Sequence, residues 1–99
     1  MRREEFRTWL AQTIKKKPVS DCISRCSTVE FALKTDLDNE YKTDGGKTVL
    51  DKLSYCRRDA TAGNPPPKEF IFKEGANVVQ RITDLRAAVN KYFTFCKDN

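Results

Sequence analysis

With 99 residues, 38% of them apolar and 33% charged, a net charge of +5 and no histidine, the chain makes one small domain that lacks the commonest general base and metal ligand. No apolar run approaches the ~18 residues of a membrane span, and the opening MRREEFRTWL lacks the apolar stretch of a signal peptide, so a cytoplasmic protein without membrane contact is expected. The balance favours a non-catalytic binding module, basic enough for nucleic acid or another acidic partner.

In chain order, residues 3–14 place Phe6, Trp9, Leu10, Thr13 and Ile14 three and four apart, the period of one apolar helix face. Glu4 and Glu5 suit its first turn, Lys15, Lys16 and Lys17 suit the negative end of its dipole, and Pro18 ends it. Pro18 also suits the first turn of a second helix, whose stripe Val19, Cys22, Ile23, Cys26, Val29 and Leu33 runs to about residue 34. Thr35 with Asp38 resembles a capping box opening a short helix that presents Leu37 and Tyr41.

Asp44-Gly45-Gly46 is a turn signal, and a fourth helix follows with Val49, Leu50, Leu53 and Cys56 on one face, ending near Arg57 and Arg58. Residues 59–69, with three successive prolines, read as loop. Phe70-Ile71-Phe72 reads as an extended segment that packs aromatics on the core, since a lone strand has no partner. From about residue 77 to the end, Val78, Ile82, Leu85, Val89, Tyr92 or Phe93, and Cys96 keep helical spacing, and Val79, Ala88 and Phe95 widen the face into that of a central helix. The expected fold is therefore all-α, a single domain over residues 1–99 with four to five helices and a Pro-rich loop at about 59–75.

Chemistry is harder to find. The four cysteines, Cys22, Cys26, Cys56 and Cys96, form no CxxC pair, and each falls where the pattern wants a core residue. Buried free thiols are therefore favoured over a zinc site or disulfides, and neither a metal nor a cofactor is expected. The run from Asp36 fails as a calcium loop, because Tyr41 stands where glycine is needed and Lys47 where a carboxylate is needed. Gly46-Lys47-Thr48 lacks the earlier glycine of a phosphate loop, because Tyr41 occupies that position too; it reads as a turn before a helix start. Asp36, Asp38 and Glu40 fit an exposed helix start better than a pair of catalytic carboxylates.

Nucleic-acid binding needs only cations facing phosphates. The candidates are Lys15, Lys16, Lys17, Arg25, Arg57, Arg58, Arg81, Arg86 and Lys91, with the positive excess towards the two ends of the chain. The aromatics Phe6, Trp9, Tyr92, Phe93 and Phe95 have the spacing of core residues rather than of base-stacking platforms. A continuous positive face would favour DNA, and a face of alternating sign would favour a protein partner.

Three segments, FRTWLAQTI at 6–14, SDCISRCSTVEFAL at 20–33 and ITDLRAAVNKYFTFCKDN at 82–99, resemble the N-terminal, SAM-like core-binding domain of phage integrases, the tyrosine recombinases. The chain departs from that pattern at Pro18, where Thr is frequent, and at Cys22, where Tyr is frequent; its segment 35–75 is also longer than the family's minimal loop. The resemblance implies a DNA-binding or docking role through basic helix ends, without the catalytic domain that would follow residue 99, and it carries over no individual contact residue. The alternative is a small phage or mobile-element protein that binds and regulates or inhibits a host nucleic-acid-processing complex. A fragment of a longer protein is also compatible with a helix that runs to the last residues.

Overall fold

The computed structural model describes residues 1–72 and 75–98. Among them lie six helical segments and no strand: α1 (Arg3–Ala11), α2 (Lys16–Leu33), α3 (Leu37–Asp44), α4 (Lys47–Lys52), α5 (Arg57–Thr61) and α6 (Val78–Asp98). The all-α expectation holds, with one short segment more than the four to five helices expected. The radius of gyration, 13.7 Å, is close to the ~13 Å typical of a packed chain of 100 residues.

Helix α6 is the axis of the fold. Ile82, Leu85, Ala88, Val89, Tyr92, Phe93 and Phe95 are all buried, a set too wide for one neighbour, and α1, α2, α3 and α4 all pack against it. Its start is set by Asn77, whose side chain accepts from the Gln80 amide at 3.1 Å. The stripe read from α2 is buried at Val19, Cys22, Ile23, Cys26 and Val29. Phe6 of α1 meets Tyr92 edge-on at 4.9 Å, and Trp9 and Phe6 both contact Phe95, at 5.9 and 5.5 Å. The aromatics that the spacing assigned to the core are thus in one cluster, with Trp9 at its edge.

Helix α1 stops at Ala11, three residues earlier than its pattern suggests. The amides of Gln12 and Thr13 turn back onto Trp9 and Leu10 as a tight turn, and Lys15 is extended as the N-cap of α2. Lys16 and Lys17 consequently occupy the first turn of α2, at the positive end of its dipole, which corrects their assignment to the C-terminus of α1. Pro18 is also in that first turn, where its missing N–H leaves no hydrogen bond unmade.

Lys34, with φ of 53°, ends α2 in the left-handed region. The cap of α3 is Asp36 rather than Thr35: Asp36 accepts the Asp38 amide at 3.2 Å, while the Thr35 hydroxyl donates to Glu40 at 2.6 Å. Between α3 and α4 the Gly45-Gly46 pair takes φ of 71° and 84°, and a Cβ on Gly46 would lie 2.2–2.7 Å from Phe93. Only glycine fits there, for both the backbone angle and the space. Asp44 takes the Gly46 amide at 3.0 Å and the Thr48 amide and hydroxyl at 3.2 and 2.6 Å, so the Gly-Lys-Thr run is the start of α4.

Two further corrections concern the chain after α4. That helix ends at Lys52, so Cys56 leaves its apolar face and becomes the exposed N-cap of α5, bonded to Asp59. Helix α5 begins at Arg57, where the fourth helix was expected to end, and takes residues 59–61 out of the expected loop; residues 62–72 and 75–77 lie outside any helix. Cys22 and Cys26 are buried and Cys96 is half-buried, all as free thiols.

A groove beside helix α6 as the candidate functional site

Two large apolar side chains stand in solvent among the described residues, Phe31 at 88% exposure and Ile71 at 98%. Both lie on the rim of one open groove of about 950 Å³, formed by α2, residues 69–72 and 76, and the first turns of α6. The local sequence explains each. Phe31 falls outside the α2 stripe, two positions after Val29 and two before Leu33, so a helix that buries the stripe turns it outward. Ile71 sits between Phe70, which is buried, and Phe72, which is half-buried, so the chain turns the two aromatic rings inward and Ile71 out. Phe70 and Phe72 pack ring to ring at 6.4 Å and, with Leu85, give the groove an apolar floor.

The groove wall is charged. Glu30 is bound to the Met1 ammonium at 3.1 Å and accepts the Leu37 amide at 3.0 Å, and Glu69 pairs with Lys52 at 3.0 Å. Arg25, Lys34 and Arg81 form no ion pair among the described residues. Asp21 and Asp84 lie beside them without an ion pair either, Asp84 accepting one hydrogen bond from Gln80 at 2.9 Å. The lining therefore carries both signs.

The cations singled out from the sequence divide into three groups. Arg25 and Arg81 both line this groove. Lys91 does not line it, but with Arg25 it acts on the buried Cys22 thiol: the hydrogen bond with Cys26 and then, against burial, these two charges lower the thiol's pKa. Lys15, Lys16, Lys17, Arg57, Arg58 and Arg86 are exposed and do not line the groove, with Arg57 and Arg58 in the single turn of α5. The residues that sequence reasoning passed over are Phe31, Lys34 and Ile71. The usable signal was a large apolar residue out of register with its own element.

The second concavity, lined by Arg2, Asp38, Tyr41, Lys42 and Cys96, is smaller, at about 410 Å³, and its polar groups hold one another. The Arg2 guanidinium reaches Asp38 at 3.2 Å and lies 4.7 Å over the Phe95 ring. The Tyr92 hydroxyl accepts the Arg2 amide at 3.0 Å and donates to Asp38, which also accepts from the Cys96 thiol at 3.4 Å. Burial pushes the Asp38 carboxyl up, but the hydrogen bonds from Tyr92 and Cys96 and the charge of Arg2 outweigh it and hold the pKa below the usual range. The same burial and the Asp38 contact push the Tyr92 phenol up. Asp36 is paired with the Met1 ammonium at 2.6 Å. Asp36 and Asp38 thus join the chain start and α6 to α3, and Glu40 accepts from Thr35, all structural tasks. Among the described residues no three His, Cys, Asp or Glu side chains gather as metal ligands, and no helix is long and apolar enough to cross a membrane.

No protein-family model matches the chain, nor does any curated protein or solved structure.

Proposed function

We propose that this domain is a non-catalytic protein-docking module whose binding surface is the groove between α2, residues 70–72 and the start of α6. One observation carries the reading: Phe31 and Ile71, the large apolar side chains most exposed among the described residues, share the rim of a single groove with an apolar floor. Isolated exposed apolar residues are ordinary, but two of them framing one concavity mark an interaction surface. The presence of Asp21 and Asp84 beside Arg25 and Arg81 in one groove lining suits a protein partner better than a phosphate backbone, which needs cations without interleaved anions.

The test is a peptide-display selection from a random library against the intact domain, counter-screened on Phe31→Glu and Ile71→Glu. Both changes are at exposed positions and leave the core intact. Binders that enrich on the native domain and are lost on either variant support the reading. No enrichment, or binders indifferent to both variants, refutes it.

A second reading, a DNA-clamping domain of SAM-like integrase type, draws support from the net charge and from the two arginines, Arg25 and Arg81, that line one groove. It predicts saturable binding of labelled DNA that weakens steeply between about 50 and about 300 mM salt through counterion release. Absence of binding at the lowest salt eliminates it.

A further inference from the structure

We infer that the occupant of the groove is a short acidic segment of a partner protein, with one or two large apolar anchors flanked by carboxylates. This rests on the docking reading above and narrows it to a ligand class. The apolar half of the recognition follows from shape: the anchors enter between Phe31 and Ile71 and meet the floor of Phe70, Phe72 and Leu85.

The charged half follows from which groups in the wall are already engaged. Of its four carboxylates, Glu30 is held by the Met1 ammonium and the Leu37 amide, and Glu69 is held by Lys52. A third, Asp84, accepts a hydrogen bond from Gln80. Against the two carboxylates without an ion pair, Asp21 and Asp84, stand three such cations among the described residues, Arg25, Lys34 and Arg81, so the charge left to meet a ligand is positive by one. Two of them are arginines, whose planar fork accepts a carboxylate in a two-point contact that a single lysine does not reproduce. Asp21 and the engaged carboxylates repel a uniformly acidic chain, so the ligand's charges flank the anchors and do not form a continuous run.

The experiment has two readouts. The first is the composition of the pool that enriches from a random display library on the intact domain. The second is fluorescence polarisation of one labelled peptide from that pool, compared with the same peptide carrying Asn and Gln, or Lys, in place of its carboxylates. The peptides are measured on the native domain and on the Arg25→Glu/Arg81→Glu double variant, whose fold is checked by its melting curve. The expected result is an acidic pool, at least a tenfold loss on neutralising the peptide, and recovery of the lysine peptide on the double variant. A pool with apolar anchors and no acidic bias, or equal binding of the acidic and amide peptides, overturns the inference while the docking reading stands. An Ile71-dependent self-association of the domain would make a second copy the occupant and also overturn it. No Ile71-dependent binding of any kind removes the docking reading itself.

Discussion

Substituting Gly46 by Ala tests the packing between the α3–α4 turn and α6 with the least ambiguity. Gly46 has φ of 84°, and a Cβ there would come within 2.2–2.7 Å of three Phe93 ring atoms, with Phe93 itself stacked on Tyr41 at 5.8 Å. Two costs combine. Holding a residue with a Cβ in the left-handed region costs about 1–2 kcal/mol. Displacing a packed ring adds about 1–3 kcal/mol for overpacking. The sum, about 2–5 kcal/mol, lowers the midpoint of a domain this size by roughly 10–30 °C. Gly45→Ala is the control, because φ there is 71° but nothing lies within 4 Å of the added carbon. It carries only the backbone cost. Thermal melts followed by circular dichroism would measure both variants, together with Gly46→Ala combined with Phe93→Leu, which makes room and should cost less than the sum of its parts. If Gly46→Ala is no more harmful than Gly45→Ala, Phe93 does not cover the turn and the reasoning fails.

Three further outcomes follow from the polar contacts. Tyr92→Phe removes the acceptor of the Arg2 amide and one donor to Asp38, and should cost about 1–3 kcal/mol in chemical denaturation; a smaller change would mean that water replaces both bonds. Stability should fall at both pH extremes. Asp36 and Asp38, held below the usual carboxylate pKa, contribute fully above about pH 4 and lose that contribution as pH drops through their lowered folded values; the Met1 ammonium, raised by Asp36 and Glu30 against burial, contributes fully below about pH 8 and loses it as pH climbs through its raised value. A midpoint that is flat from pH 2 to 6 would contradict the acid limb. Lys16→Glu should raise the melting temperature by a few degrees, because it places a carboxylate in a first turn of α2 that has no acidic residue; a lower melting temperature would show that Lys16 has a stabilising partner.

Much of this fold is legible in the sequence because helical periodicity records burial directly. The α2 and α6 stripes and the aromatic cluster all follow from three- and four-residue spacing. The errors arise where a local backbone bond competes with that pattern. Ile14 keeps the spacing of α1, yet the tight turn at residues 12–14 ends the helix first. Cys56 keeps the spacing of α4, but the helix stops at Lys52 and Cys56 becomes the N-cap of α5, its amide held by Asp59 in the first turn.

The groove was less legible than the core. Its cations Arg25 and Arg81 were visible as charges, but no spacing rule puts residues 25 and 81 in the lining of one groove; that depends on how α2 packs on α6. Phe31 and Ile71 could be read only as exceptions, because an apolar residue out of phase looks the same whether it is incidental or functional. The acidic run 36–40 shows the converse: it looked like an exposed helix start, yet Asp38 is tied to Arg2, Tyr92 and Cys96.

The central claim is that the groove is where a partner binds, and an amide-resolved NMR titration of the labelled domain with a selected peptide tests it most directly. The account predicts that the shifted resonances cluster at residues 24–34, 69–72 and 76–85, and that the shifts vanish in Ile71→Glu. Shifts centred on residues 15–17 or 57–58, with the groove unmoved, would contradict it.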